Sequence, residues 1–297
     1  MDSYIKILRE IQCNGQIKKN RTGIDALTVI DVDWKHDMSL GFPLLTIRKM
    51  PVKAMWKELE GFIKGVSHKE FYQVGKTNFW KWWANPREVK NKIHNLGQNV
   101  DSDTIKQLQI EERDLGPIYG YQWRRFGQAY DCDDNAPTRG FDQLKEIVRL
   151  LKEDPNNRRM VCSAWNPNHF GRMALEPCHI LWSVGHLNGK LSLSWFQRSC
   201  DALRGIPNNI ASYATLLLLL CKEANMEPGT LSAKFFDCHL YVNQLNAARD
   251  LITRKPRKLP SLKIDNFTNI FEWDSKDCSL INYNYDDTKI DFGEIAV

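Results

Sequence analysis

The sequence predicts a single α+β domain, and three observations support this. Segments with helical spacing of apolar residues and segments with strand-like alternation follow one another without a regular β-α-β order. Asn188-Gly189 separates two strand-like segments and is typical of a tight hairpin turn. No internal repeat or low-complexity linker divides the 297 residues. We therefore expect one domain over residues 1–297.

Four regular elements are predicted in the N-terminal half of the chain. The first helix is amphipathic, the strand alternates apolar and polar residues, and the last two helices end at Gly65 and Pro155. The four elements are a helix over 2–13, a strand over 26–36, and helices over 52–65 and 141–155. Between them, residues 85–115 are polar, which predicts a surface insertion.

The C-terminal half reads mainly as strands around one long helix. Two strands meet at the Asn188-Gly189 hairpin, and the helix contains the apolar run 216–221. The predicted elements are strands within 158–166, 179–199 and 233–242, and helices from Pro207 to about Ala224 and over 243–254.

Composition excludes several classes of protein. The net charge of +5 is too small to indicate nucleic-acid binding by itself. The longest strictly apolar run is the six-residue segment 216–221, and the N-terminus has a helical pattern that differs from a signal peptide. The eight cysteines show no C-x-x-C and no zinc-ligand spacing. We therefore expect a cytoplasmic protein with reduced thiols, no metal and no membrane contact.

One cysteine is a candidate nucleophile. Cys178 lies between Pro177 and His179 at the start of a predicted strand. A thiol there is either buried and inert or, if a positive charge stabilises its thiolate, reactive. The predicted hairpin would bring residues 197–199 beside that strand start, which would put Arg198 close to Cys178.

Other side chains are individually weak candidates for a site. Guanidinium groups beside a serine hydroxyl suit a phosphate dianion, although single arginines are more often solvated. A helix glutamate can be a general base or a plain surface carboxylate, and clustered tryptophans can stack on a heterocycle or fill a core. These candidates are Arg21, Arg158, Arg159, Arg198 with Ser199, Glu58, the tryptophans of 78–84, and the strand pair His239 and Tyr241.

Taken together and in order, the motifs resemble those of the thymidylate synthase family. The resemblance extends from about Tyr4 to Val297, except for the insertion at 85–115. The motifs are "NRTG", "GFPLLT", "LGPIYGYQWRRFG", "RRMVCSAWN", "EPCHILW", "QRSCD", "NIASYA" and "DCHLYVN".

The resemblance implies a fold and a reaction. The implied fold is a mixed β-sheet flanked by helices, whose sheets pack against each other across a homodimer. The implied reaction is folate-dependent one-carbon transfer to C5 of dUMP, with 5,10-methylenetetrahydrofolate as co-substrate. In the family, a cysteine that corresponds to Cys178 adds to C6 of the uracil ring, and this addition makes C5 nucleophilic.

The resemblance also implies a role for each matched residue. Arg21, Arg198 and Ser199 would bind the phosphate of dUMP, and Arg158 and Arg159 would reach it from the other subunit. Asn209 would read the uracil edge with Gln197 nearby, and His239 and Tyr241 would hold the sugar hydroxyl. Glu58, Tyr119 and His179 would handle protons. The implied folate contacts are Trp80, Trp83, Asp201 and Val297.

Several positions depart from the family pattern. Where the family usually has E-L-L-W-F, this chain has "ELEGF", with Glu60 and Gly61. The other departures are Arg204 and Asn208 in "RGIPNN", Phe236 and Gln244. Glu60 and Asn208 resemble the pyrimidine hydroxymethylases of the same superfamily, which add water to the methylene group on C5.

Three functions therefore stay open at the level of sequence. Hydride transfer needs a dry site, so added polar groups favour a dUMP 5-hydroxymethylase. Trp80 and the terminal "EIAV" favour thymidylate synthase. A non-catalytic nucleotide-binding protein is a third possibility, but the retention of Cys178 and Glu58 argues against it.

Overall fold

The computed structural model describes residues 2–97, 100–130 and 140–293. The chain forms two compact units. The first unit contains the residues up to Val52, Cys178–Phe267 and the residues from Lys276 onward. The second unit contains Lys53–Pro177 and Thr268–Ser275.

The regular elements account for most of the chain. The helices are α1 (Asp2–Asn14), α2 (Val52–Lys64), α3 (Pro86–Leu96), α4 (Ser102–Glu111), α5 (Tyr119–Arg125), α6 (Gln143–Glu153), α7 (Gly205–Ala224) and α8 (Leu245–Thr253). The strands are β1 (Gln16–Lys18), β2 (Ala26–Asp37), β3 (Val161–Ser163), β4 (His179–Leu187), β5 (Lys190–Asp201), β6 (Glu227–Tyr241), β7 (Ser261–Ile264) and β8 (Cys278–Ile281). None of the described helices is both long enough and apolar enough to cross a membrane.

The sheet of the first unit is mixed. Its strands lie in the order β1-β2-β6-β5-β4, with β5 and β6 parallel and the other neighbouring pairs antiparallel. Helix α7 packs against β5 and β6, and α1 packs against β2 and α8. The predicted α+β class, with a mixed sheet flanked by helices, is confirmed.

Local turn chemistry determines the register of β4 and β5. Asn188 and Gly189 both adopt positive φ, at 51° and 77°, as a tight two-residue hairpin requires. The strands then pair from Leu187 and Lys190 back to His179 and Gln197. The predicted hairpin is therefore confirmed, and it brings the start of β4 beside the end of β5.

The observed elements differ from the predicted ones mainly at their ends. Strand β6 begins at Glu227, six residues before the prediction, because it already pairs with the start of β5 at Lys190. Within 158–166 only Val161–Ser163 forms a strand, since Asn166 caps a short turn with its side chain. Helix α7 starts at Gly205, so Pro207 lies within its first turn, where a missing N–H is tolerated.

A cluster of aromatic rings organises the second unit around α2. Phe62 contacts Tyr119 at 4.9 Å between ring centroids and Trp123 at 5.8 Å. Gly61 faces Tyr72 so closely that a Cβ atom there would lie 2.2 Å from Cε1 of that ring. The ring of Tyr72 thus explains why a large side chain cannot stand at position 61.

The polar stretch 85–115 contains two helices that the sequence analysis did not predict. Asn85 and Asp101 cap α3 and α4 by accepting hydrogen bonds from backbone N–H groups of the first turns. Val89 is the buried residue of α3, and α4 has none among its ten residues. The polar composition is thus consistent with two solvated helices.

Candidate active site

Cys178, the residue directly before β4, lies beside Arg198 on β5. The backbone N–H of Arg198 donates to the carbonyl oxygen of Cys178 over 2.8 Å. The next pair along the hairpin is His179 and Gln197. Cys178 is half-buried. The predicted placement of Arg198 close to Cys178 is therefore confirmed at the level of the backbone.

His179 is fixed as a neutral imidazole. Its Nδ1 lies 2.8 Å from the hydroxyl of Tyr213 on α7, and the two rings meet edge to face at 5.4 Å. Burial lowers the pKa of His179 to about 3. Sequence reasoning missed Tyr213 as a partner of this ring, although it stands within the quoted motif "NIASYA".

Asn209 is oriented by a chain of side-chain hydrogen bonds that starts in the core. Trp195 donates its indole N–H to Oε1 of Gln197 over 3.2 Å. Gln197 in turn donates through Nε2 to Oδ1 of Asn209, also over 3.2 Å. An amide oxygen accepts two hydrogen bonds, so Oδ1 of Asn209 can still accept one from a ligand while Nδ2 donates.

Asp201 shapes the turn between β5 and α7. Its Oδ1 accepts hydrogen bonds from the backbone N–H groups of Leu203 and Arg204, each over 2.9 Å. Asn208 follows in the first turn of α7, and its Oδ1 is buried without a hydrogen-bond partner. The start of α7 thus carries a buried acceptor that is open to a ligand or a water molecule.

His239 and Tyr241 face the same side of β6, as predicted. Their ring centroids lie 5.2 Å apart, and Nδ1 of His239 lies 2.9 Å from Oδ1 of Asp237. The pKa of the Tyr241 hydroxyl is raised, mainly by burial and next by the Asp201 carboxylate, whereas Arg21 lowers it. Arg21 and Asp201 are therefore close enough to Tyr241 to act on its charge.

Glu58 and Trp80 form the centre of a second cluster, in the second unit. The indole N–H of Trp80 donates to Oε1 of Glu58 over 2.8 Å. Burial raises the pKa of Glu58 to about 7, and the bond from Trp80 partly opposes this rise. Tyr119 lies next to Trp80, with ring centroids 6.2 Å apart. A carboxyl group with a pKa near neutrality is suited to proton transfer.

Other predicted site residues of the second unit lie outside the Glu58 cluster. Trp83 lines a mainly apolar cavity of about 280 Å³ beside α3 and α4. Arg158 and Arg159 are exposed in the segment between α6 and β3. Val297 lies outside the described residues, so the structure carries no information on that prediction.

Glu60 has a set of partners that the sequence did not reveal. Its buried carboxylate accepts from Lys57 over 3.1 Å and from Lys64 over 2.6 Å. It also accepts from the hydroxyl of Ser275 over 2.7 Å and from its backbone N–H over 3.3 Å. Burial is the largest single influence and raises the pKa of Glu60, but the hydrogen bonds from the Lys64, Ser275 and Lys57 side chains together lower it below its usual value.

Arg204 and Phe236, two further departures from the family pattern, also contact other residues of the first unit. Arg204 donates through Nη2 to the carbonyl oxygen of Gly293 over 2.9 Å, and its guanidinium lies 5.4 Å from the centre of the Phe292 ring. Phe236 is 45% exposed and stacks obliquely on Phe196 at 6.1 Å. No group of side chains suited to hold a metal ion occurs within the described part of the chain.

Comparison with known proteins identifies the family. A sequence model described as thymidylate synthase matches residues 2–296. The chain belongs to the thymidylate synthase family. A thymidylate synthase of Mycoplasma genitalium is 34% identical over 303 residues, which covers 100% of both chains. One of Mycoplasma pneumoniae has the same identity and coverage.

A third relative of the thymidylate synthase family is longer. It is a bifunctional dihydrofolate reductase-thymidylate synthase of Paramecium tetraurelia, 36% identical over 287 residues. The match covers 96% of this chain and 59% of that protein. Membership of the family confirms the predicted family and the predicted class of enzyme, a methyltransferase.

Proposed function

We propose that this chain is a thymidylate synthase that methylates C5 of dUMP through a covalent bond between Cys178 and C6. The observation that carries the proposal is the backbone hydrogen bond from Arg198 on β5 to Cys178, the residue directly before β4. From this position the Arg198 guanidinium would favour the thiolate of Cys178, which is the nucleophilic form. Membership of the family, and full-length relatives named thymidylate synthase, support methylation as the outcome.

The chemistry divides between the chain and its co-substrate. Methylenetetrahydrofolate supplies the one-carbon group and the hydride, and it leaves as dihydrofolate. Cys178 supplies the electron pair that forms the bond to C6, and it takes that pair back when it leaves. The buried and unpartnered Oδ1 of Asn208 is a polar atom that a bound ligand or its water would satisfy, so the start of α7 fits a polar ligand.

We infer that Asn209 recognises uracil and that Gln197 fixes its orientation. An amide that donates and accepts at once matches O4 and N3–H of uracil, whereas cytosine presents the opposite pattern. His239 and Tyr241 would hold the sugar hydroxyl from the end of β6. Arg21, Arg198 and Ser199 would bind the phosphate through charge-assisted hydrogen bonds.

We also propose a homodimer in which Arg158 and Arg159 reach the phosphate of the other subunit's site. Both arginines are exposed. The face of the sheet that carries Phe196 and Phe236 also carries Leu181, which is 36% exposed and pairs with Phe196 across β4 and β5. Exposed apolar side chains on a sheet face support its burial against a second copy.

Proton transfer is assigned to Glu58, Tyr119 and His179. Glu58 would order the water that exchanges protons with the uracil ring. Its pKa of about 7 means that both its protonated and its ionised forms are populated near neutral pH. Tyr119 would remove the proton from C5. His179 would act as a neutral hydrogen-bonding group. The folate contacts would be Trp80, Trp83, Asp201 and Val297.

The alternative function, a dUMP 5-hydroxymethylase, rests on Asn208 and Glu60. The buried acceptor of Asn208 favours it, because it could orient a water molecule. Glu60 gives the hydroxymethylase little support, since Lys57, Lys64 and Ser275 already donate to its carboxylate.

We further propose that residues 1–297 form one domain with an insertion at 85–115. We also propose that the protein is cytoplasmic and does not require nucleic acid.

One reaction mixture tests the proposal. The protein is incubated with dUMP and methylenetetrahydrofolate, the nucleotide product is weighed by mass spectrometry, and absorbance follows dihydrofolate. A methyl product together with dihydrofolate supports the synthase, and a hydroxymethyl product without dihydrofolate supports the alternative. Turnover by a Cys178→Ser variant at the wild-type rate would contradict the covalent mechanism. If neither the methyl nor the hydroxymethyl product forms, the result favours a non-catalytic nucleotide-binding protein.

A further inference from the structure

Lys69 is a buried lysine in the second unit that no step of the reaction uses. Its side chain is 6% exposed. The Nζ atom lies 2.7 Å from the carbonyl oxygen of Gln109, and 3.4 Å from those of Ile110 and Lys81. These three acceptors are all main-chain oxygens, so the ammonium connects two segments without any side-chain partner among these contacts.

The first of these segments is the end of α4. The last carbonyl groups of a helix have no partner within the helix and carry its partial negative charge. Gln109 and Ile110 belong to the last turn of α4, which ends at Glu111. An ammonium with three donors is well suited to cap this end. Lys69 therefore fixes the C-terminal end of α4.

The second segment, residues 78–81, carries Trp80. Nδ2 of Asn78 donates to the backbone carbonyl of Lys69 over 3.1 Å, and Oδ1 of Asn78 accepts from the backbone N–H of Trp80 over 2.9 Å. The indole of Trp80 then reaches Glu58. A continuous series of hydrogen bonds therefore runs from α4 through Lys69 and the segment of Trp80 to Glu58.

We propose that Lys69 is a positioning residue for Glu58: by holding α4 and residues 78–81 together, it keeps the Trp80 indole directed at the Glu58 carboxylate. The proposal rests on the proposed function for the catalytic role of Glu58, but the contact itself does not depend on that role. Through Lys69, the insertion at 85–115 would help to position Glu58 for catalysis, although none of the residues of α4 is buried.

The charge of Lys69 is balanced by its surroundings. Burial lowers the pKa of Lys69 to about 8, while Glu112 and Glu70 raise it and Lys92 lowers it. The ammonium form, with all three donors, therefore predominates at pH 7. Substitution by methionine keeps the length and volume of the stem and removes the donors.

The test compares Lys69→Met with Lys76→Met, a change at an exposed lysine seven residues further along the chain. The indole N–H resonance of Trp80 is followed by NMR and assigned with Trp80→Phe, and the carboxyl of Glu58 is titrated after side-chain labelling. In Lys69→Met we expect the Trp80 resonance to move and the pKa of Glu58 to rise, because the bond from Trp80 lowers that pKa. We also expect kcat to fall about tenfold or more, as for a displaced catalytic group, with KM for dUMP changed far less.

An unchanged Trp80 resonance and an unchanged Glu58 titration in folded Lys69→Met would overturn the proposal. If Lys69→Met does not fold, Lys69→Gln replaces it, because a shorter side chain with a neutral amide cannot make all three contacts of the ammonium, and it must give the same two NMR changes. If Glu58→Gln keeps full activity, the proposed function of Glu58 is wrong, and the NMR measurements still decide the role of Lys69.

Discussion

Trp80 and Glu58 are joined by a hydrogen bond of 2.8 Å between the indole N–H and a carboxylate oxygen whose pKa burial raises to about 7. A hydrogen bond to the charged form of a carboxyl lowers its pKa, so this bond limits the effect of burial. The balance between the two effects sets how much of Glu58 is ionised at neutral pH.

Replacement of Trp80 by phenylalanine should raise the pKa of Glu58 above about 7, because the donor that favours the carboxylate is lost. NMR titration of labelled Glu58 measures this shift. Trp82→Phe is the matched control, since Trp82 is 46% exposed. Equal titration curves for the two variants would show that the Trp80 bond does not stabilise the carboxylate.

Glu58 should also make the free energy of unfolding depend on pH. Because its pKa is about 4.3 in an unfolded chain and about 7 in the folded one, the folded state holds a proton that the unfolded state releases. Its contribution to stability is fully present below the unfolded pKa and is lost as pH rises to about 7. Glu58→Gln should therefore be more stable than wild type at pH 8, with the difference shrinking towards pH 4.5. Thermal unfolding across this range measures it, and a constant difference would refute it.

His179 should have the opposite pH dependence. Its pKa is lowered to about 3 in the folded chain, against about 6.5 when unfolded, so the unfolded state binds the extra proton. The stability contributed is present above pH 6.5 and is lost as pH falls towards 3. We expect His179→Gln to lose less stability than wild type over this interval. Urea unfolding at several pH values tests this, with exposed His94→Gln as control.

Removal of the Glu60 carboxylate should reduce stability without changing the product. Glu60→Ala leaves Ser275 and two lysines without their acceptor in a buried setting, which costs about 1–3 kcal/mol. Denaturant unfolding measures the loss, with Glu10→Ala on the exposed face of α1 as control. A switch of the product between methyl and hydroxymethyl in this variant would instead make Glu60 a specificity residue.

A single methyl group at position 61 should be destabilising. A Cβ there would lie 2.2 Å from the Tyr72 ring, and such overpacking costs typically about 1–3 kcal/mol. The double variant Gly61→Ala/Tyr72→Leu should recover part of the loss, because the smaller side chain leaves room for the methyl group. A double-mutant cycle of unfolding free energies measures the coupling. Strict additivity would show that the two residues do not interact.

Local signals predicted the part of the site that depends on one hairpin. Asn188-Gly189 fixes the register of β4 and β5 through turn geometry, and that register alone brings Arg198 to Cys178. The pairing of His239 with Tyr241 likewise follows from the alternation of one strand. In the first case a tight turn brings the two residues together, and in the second the residues are only two positions apart in the sequence.

Contacts between distant segments could not be predicted in this way. Ser275 reaches Glu60 across 215 residues, and Lys69 reaches Gln109 across 40. Nothing in the sequence around Lys69 distinguishes it from the many solvated lysines. The helices α3 and α4 were missed because they are mostly polar and bury only Val89 between them, although Asn85 and Asp101 are good capping residues.

The close approach of Gly61 to Tyr72 also limits how this sequence can diverge. The two positions share one volume, so a lineage that enlarges the side chain at 61 must first, or at the same time, reduce the one at 72. Substitutions at these positions should therefore occur in pairs among the descendants of this chain. Position 61, three residues after Glu58 on the same helix, can therefore accept a larger side chain only in step with a change at position 72.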